Sequence, residues 1–304
     1  MNLLKYLYLK IVALFLRALV RLHGYSLACP DAVYFIPSRD DKRPIKTFVY
    51  EPRQKDANTA TPVLINFHGG GYMVSAHGSD DEFCKQMSGK AGHTVLDVQY
   101  RVTPENPFPA SLQDGEDVLN WVLGKPDCFD SSMVSLSGFS SGGNLALALA
   151  TSSNFPPKII HTVLAFYPAV DCVPDPSTKK APVDGGFPLP PFLLRLFRSA
   201  FIPSFELASD PRVSPIYADP ERFPLKTLFV TASYDNLAEE TERLASRIAQ
   251  LPGRHVVCHR AENCNHAWDK FPCLGVEEVK AKMKVYSLAE DLLQSGLYYV
   301  APAA

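Results

Sequence analysis

The sequence predicts an α/β architecture: a mostly parallel sheet covered by helices on both faces. Three observations in the 304 residues point there. Short β-branched or apolar runs alternate with segments of helical pattern. A Gly-x-Ser-x-Gly pentapeptide stands between one such run and one such helix, and a run of three glycines directly follows another strand-like run. In chain order, strands are expected at Thr47–Tyr50, Val63–Phe67, Thr94–Val98, Val134–Leu136, Ile159–Phe166, Leu228–Thr231 and His255–His259. Helices are expected at Ser111–Leu123, Gly142–Thr151, Ala238–Leu251 and Val276–Leu293. One segment breaks the rhythm. Cys172–Pro224 is proline-rich and contains GGFPLPPFLLRLFRSAFIPSF, too apolar for a solvated loop and too long for an ordinary connection. It reads as an inserted lid rather than a second domain. The chain then divides into an amino-terminal helix and cap contribution (1–45), a first core part (46–171), the cap insertion (172–210) and a second core part (211–304).

Composition sets the limits of function. Hydrophobic residues make up 46% and charged residues 20%, enough for a core and against disorder. With 30 basic and 32 acidic side chains the net charge is −2, so nothing marks a nucleic-acid partner. The seven cysteines, Cys29, Cys84, Cys128, Cys172, Cys258, Cys264 and Cys273, contain no Cys-x-x-Cys pair, which argues against a zinc ribbon or a disulfide scaffold.

The first 22 residues are the most apolar stretch, interrupted by Lys5, Lys10, Arg17 and Arg21. The uncharged blocks are far short of the roughly 20 residues a spanning helix needs. At a helical period Lys10, Arg17 and Arg21 share one face and Lys5 lies off it. Three readings stay open: a helix packed on its own domain, a peripheral membrane anchor, or a cleaved signal whose apolar core is broken by Lys10 and Arg17. No Asn-x-Ser/Thr sequon occurs, and the carboxyl-terminal YYVAPAA matches no sorting signal. The expected location is cytoplasmic, with membrane association as an alternative.

Two motifs carry chemistry. Gly138-Phe139-Ser140-Ser141-Gly142 follows the strand-like VSLS and precedes the helical LALALA, the context of a nucleophile elbow. Glycines at both ends let strand and helix approach while Ser140 is held in strained geometry. His68-Gly69-Gly70-Gly71-Tyr72 follows VLINF. Bare backbone there lets the N–H groups of Gly69, Gly70 or both converge with that of Ser141 on an oxyanion. A phosphate loop would need Gly-Lys-Ser/Thr, which is missing. His68 reads as a tie for the glycine loop. A nucleophilic serine needs an acid and then a histidine further along the chain. His266, just past the last expected strand, and Asp235, just past LFVT, both reach the carboxyl edge of the sheet. Glu262 is the nearest competitor for the acid, and Asp269 is too close to His266 in sequence.

These blocks resemble the hormone-sensitive-lipase group of α/β-hydrolases, over roughly residues 60 to 295. The resemblance rests on HGGGY at 68–72, Tyr100-Arg101-Val102-Thr103-Pro104-Glu105 with Phe108-Pro109-Ala110, and GFSSGGNLA at 138–146. It continues through Ser214-Pro215, Asp235 with Leu237, and His266. It implies an α/β-hydrolase fold with a helical cap, a triad of Ser140, Asp235 and His266, and an oxyanion hole of Gly69, Gly70 and Ser141. Tyr100-Arg101 and Pro104-Glu105 resemble the group's structural brace. Phe139 departs from the acidic residue common at that position. The activity implied is hydrolysis of a small or medium hydrophobic carboxylic ester, without metal or cofactor. Apolar lid residues Phe187, Leu189, Phe192, Leu193, Leu194, Phe197 and Phe201 suit such a substrate, with Tyr72, Phe139, Phe187, Phe192 and Phe197 as pocket candidates. Alternatives are an amidase or deacetylase, a lyase, dehydratase or acyl transferase on the same frame, and a silent ligand receptor. The sequence does not define an oligomeric state.

Overall fold

Strands whose two faces are both apolar can be satisfied only by cover on both sides, and the sheet is built that way. The computed structural model describes residues 2–23, 28–40, 43–53, 59–271 and 275–297. Eight strands form one sheet: β1 (Ala32–Pro37), β2 (Pro44–Tyr50), β3 (Thr61–Phe67), β4 (Thr94–Val98), β5 (Phe129–Phe139), β6 (Thr162–Phe166), β7 (Lys226–Ala232) and β8 (His255–Ala261). Their order is β1-β2-β4-β3-β5-β6-β7-β8, antiparallel at β1/β2 and β2/β4 and parallel elsewhere.

Alternation along the strands separates two cores. Val63, Ile65 and Phe67 of β3 and Val163 and Ala165 of β6 pack with α3 (Ala110–Leu123), α4 (Ser141–Ala150) and α6 (Ala238–Ala249). Leu64, Leu164 and Phe166 point the other way, onto α2 (Asp81–Ala91) and α7 (Val276–Leu297). Because β3 and β5 to β8 run parallel, the loops after all of them open on one edge of the sheet.

Several boundaries differ from the sequence reading. Strand β1 was not expected: only Ile36 of its six residues is buried, so its pattern is that of a half-exposed edge. Helix α2 was not expected either, because its apolar stripe is thin, Phe83, Cys84, Met87 and Ala91 among charged residues. The run Val134–Leu136 is the middle of the longer β5, and Ile159–Phe166 shortens to Thr162–Phe166. The segment after β6 holds one true helix, α5 (Pro191–Phe201), and several single-turn helices.

Helix α1 (Leu3–His23) lies against the body through Leu9 and Ala13, which meet Met73 and Ala200. Two of its basic residues, Lys10 and Arg17, turn inward. Arg17 Nη1 donates to Glu105 Oε1 at 2.7 Å and Nη2 to the Thr103 carbonyl at 2.7 Å, and Lys10 pairs with the same glutamate. Burial opposes the Glu105 charge, but Arg17 and Lys10 pull its carboxyl down to about 2. The Arg21 side chain, Cys273 and the terminal YYVAPAA motif lie outside the described residues. No described helix is long and apolar enough to cross a membrane.

Candidate active site

The turn from β5 into α4 leaves no room for side chains at two of its residues. A Cβ on Gly142 would lie 1.9 Å from the Phe67 carbonyl oxygen, and one on Gly138 2.2 Å from that of Gly142. Between them Ser140 adopts φ 53° and ψ −116°, a conformation an L-residue holds only when its surroundings impose it. The imposing contacts include the Ser140 N–H, which donates to the Phe166 carbonyl at 2.9 Å.

Three loops meet at that hydroxyl. His266 Nε2 stands 2.9 Å from Ser140 Oγ, and His266 Nδ1 stands 2.7 Å from Asp235 Oδ2. The Asp235 side chain is fully buried and that of His266 is 9% exposed. Asp235 Oδ1 accepts the Leu237 N–H at 3.0 Å, which fixes the carboxylate plane. The natural tautomer carries the proton on Nδ1 toward Asp235 and presents the Nε2 lone pair to the serine O–H. The loops after β7 and β8 are laced together. Tyr234 N–H donates to the Cys264 carbonyl at 3.0 Å, and Ser233 Oγ accepts the Asn263 N–H at 2.8 Å.

The glycine run lies beside the serine. A Cβ on Gly69 would be 3.6 Å from Ser140 Cβ, and one on Gly70, at φ +119°, would strike the Val74 carbonyl oxygen at 2.2 Å. His68 is fully buried beneath: its Nδ1 meets the Gly69 carbonyl at 2.7 Å, and burial lowers its pKa, keeping the ring neutral. Tyr100 OH donates to the His68 carbonyl at 2.7 Å and stacks on its ring.

Under the site is a buried charge cluster that the sequence reading missed. Lys270 Nζ sits 2.9 Å from Asp80 Oδ1, 3.2 Å from Asp269 Oδ2 and 3.4 Å from the centre of the Phe139 ring. Burial alone would lower the Lys270 pKa, but Asp269 and Asp80 hold it well above the ordinary value. Asp269 also accepts hydrogen bonds from Tyr167 and Tyr286 at 2.6 and 2.8 Å, and the Tyr167 ring meets His266 edge-on. The one available signal was the aspartate and lysine three and four residues after His266.

A cavity of about 280 Å³ opens above Ser140. Of the expected pocket residues, Tyr72, Phe139 and Phe197 line it. Phe187 and Phe192 do not: they are 85% and 69% exposed, because the Phe187 backbone is tied to Asn265 and Phe192 faces outward at the start of α5. The tie is a strap of lid. Phe187 N–H donates to Asn265 Oδ1 at 2.5 Å, and Asn236 Nδ2 donates to the Leu189 carbonyl at 2.9 Å. Gly186, at φ +56°, has Tyr234 ring carbon and Asn265 Oδ1 where a Cβ would go. Charged side chains also reach the cavity wall, unforeseen from the sequence. Lys179 is paired with Glu240, and Arg198 Nη1 donates to the carbonyls of Cys172 and Pro174 at 3.1 Å each. Glu262 Oε2 lies 3.2 Å from Ser233 Oγ rather than at His266.

A model of the α/β-hydrolase fold matches residues 64–270. Among curated proteins, the chain is 25% identical over 263 residues to an AB hydrolase superfamily protein of Schizosaccharomyces pombe, covering 82% of this chain and 75% of that one. It is 29% identical over 209 residues to the ethyl acetate hydrolase of Pseudomonas putida, covering 66% of this chain and 64% of that one. Among solved structures it resembles EstE1, a thermostable carboxylesterase cloned from a metagenomic library, with TM-score 0.78, 25% identity and coverage of 96% and 98%. The chain belongs to the α/β-hydrolase family, among its hormone-sensitive-lipase-like carboxylic ester hydrolases.

Proposed function

We propose that this protein hydrolyses a small or medium hydrophobic carboxylic ester through an acyl-enzyme intermediate. The single observation behind the reading is the unbroken line Asp235–His266–Ser140, at 2.7 and 2.9 Å, at the base of a largely apolar cavity. His266 Nε2 takes the serine proton as Oγ attacks the ester carbonyl. Asp235 holds the imidazole tautomer and stabilises its positive form. Negative charge develops on the carbonyl oxygen, and the N–H groups of Gly69, Gly70 and Ser141 receive it, helped by the amino-terminal end of α4. His266 then protonates the departing alkoxide, and water repeats the sequence to release the acid.

The cavity argues for the substrate class. Its walls are mostly apolar, and the cations that reach it, Lys179, Arg198 and Lys270, are already committed to protein acceptors. A volume of about 280 Å³ suits a modest acyl or aryl group. The test is labelling by a fluorophosphonate probe. The native protein should be modified at Ser140 and Ser140→Ala should not; labelling that persists in the variant overturns the assignment.

A further inference from the structure

The outer face of α1 has the wrong chemistry for water. Leu3, Leu4, Leu7, Tyr8, Ile11, Leu14 and Phe15 are 47–80% exposed. At 100° per residue they fill, with Ala18, an arc of roughly 140° whose one edge carries the Arg21 position and whose interior has no charge. Two of the cations that would ordinarily solubilise such a helix, Lys10 and Arg17, stand at the edge of this arc beside Leu3 and are spent on Glu105. The side away from this arc meets the active site: Val20 lines the cavity, and Leu16 packs beside Phe197, another lining residue.

Charge and shape select the occupant. Leu4, Leu7, Ile11 and Leu14 fall at the spacing of a helix–helix seam, but such a seam is narrow and bordered by charged residues that fix a partner. Here one border is Tyr8 and Phe15, both aromatic, and on the other Leu3 is followed by Lys10 and Arg17, whose charges are already held by Glu105 rather than offered to a partner, so on the aromatic side the uncharged surface extends beyond what a second helix covers. Over residues 2–23 the helix has no acid, and Lys5 is exposed at its outer end. A broad convex apolar face with an aromatic flank and only positive charge is complementary to an anionic lipid surface.

We propose that α1 lies in the plane of a lipid surface, its outer side chains among the acyl chains and Lys5 toward anionic headgroups. Docked in this way, the helix brings the wall of the cavity to the interface, so that a lipid-dissolved ester reaches Ser140 from the side that α1 covers; this last step rests on the ester-hydrolase reading above.

The test is flotation of the full chain with vesicles of phosphatidylcholine, with and without phosphatidylserine. Native protein should float, and more with phosphatidylserine. Ile11→Glu combined with Phe15→Glu should lower partitioning about tenfold or more. Both positions are exposed and outside the site, so turnover of a water-soluble nitrophenyl ester should be unchanged, which verifies folding. Lys5→Glu should remove the phosphatidylserine dependence alone. Native protein that stays unbound with both vesicle types overturns the proposal. So does a concentration-dependent dimer, broken by the double glutamate variant, that does not float. Hydrolysis of the soluble ester is read separately, so loss of membrane binding and loss of the catalytic reading are distinguishable.

Discussion

The floor and the roof of the cavity are held by different physics. The floor is made of β-strand ends and the loops that follow them, and it is fixed by directional contacts: Asp235 to His266, Lys270 to Asp80 and Asp269, Ser140 to Phe166. The roof is made of α1 and α5, held by Leu9, Ala13 and Leu16 of the first and Leu196, Phe197 and Ala200 of the second around Met73, and by the Glu105 ion pairs of α1. Directional contacts admit one arrangement, whereas apolar contacts admit many of similar energy. Chemistry needs the first kind and substrate choice tolerates the second.

If that division holds, substitutions in the floor should be the costly ones. Asp235→Asn preserves shape but favours the wrong imidazole tautomer, and turnover of an aryl ester should fall about 10⁴-fold. A near-native rate would mean that another group orients His266. Lys270→Met comes next. It leaves Asp80 and Asp269 buried without their cation, and stability should fall by about 3–5 kcal/mol, read as a lower urea midpoint with unchanged slope. Should the midpoint hold, the cluster is not what fixes the His266 loop.

The same division governs what the sequence made legible. The elbow was readable because Gly138 and Gly142 are the only residues that fit, 2.2 and 1.9 Å from neighbouring carbonyl oxygens, so the geometry is written in residue identity. The parallel order of β3 to β8 followed from alternation of strand and helix. The Lys270 cluster was not readable, because its members come from the loop between β3 and α2, the end of β5 and the loop after β8, which only the fold brings together. Nor was the orientation of α1. Its periodicity marks which residues share a face, but which face turns inward depends on Glu105, distant in sequence. Phe187 and Phe192 were misplaced for a similar reason: lid composition is apolar throughout, and only the strap onto Asn265 decides what points into the cavity.

A roof substitution should act on binding and leave chemistry nearly intact. Phe197 lines the cavity and rests against Gly71, where a Cβ would be 2.5 Å from its ring. Phe197→Ala removes apolar wall without touching the hydrogen-bonded line. KM should rise about tenfold for the preferred nitrophenyl ester, with kcat within about threefold, and the optimum should move to longer acyl chains. A kcat loss as large as that of Asp235→Asn would place the roof in the catalytic geometry and erase the distinction.

The smallest expected effect concerns a floor carboxyl that does not touch the site. Asp97 is fully buried, its Oδ1 accepting from Asn66 Nδ2 at 2.9 Å, and Asn66 bonds Asp80 at the same distance. Desolvation first, and then the nearby Asp80 charge, raise the Asp97 pKa to about 7. A carboxyl with a raised folded pKa holds its proton in the folded state where the unfolded chain, near 3.9, has lost it. Its contribution to stability therefore declines as pH rises from about 4 to about 7 and is flat outside that window, against an opposite contribution from His77 and His93, which burial lowers to about 3 and about 4. Glu240, also raised to about 7 by burial, contributes a decline in the same range. Asp97→Asn keeps an acceptor for Asn66 and carries no proton to lose, so its stability relative to the native protein should increase as pH rises over that window in urea titrations at successive pH values. An unchanged slope would assign the whole decline to Glu240, beside the cavity's Lys179, and move the pH-sensitive charge from the floor toward the roof.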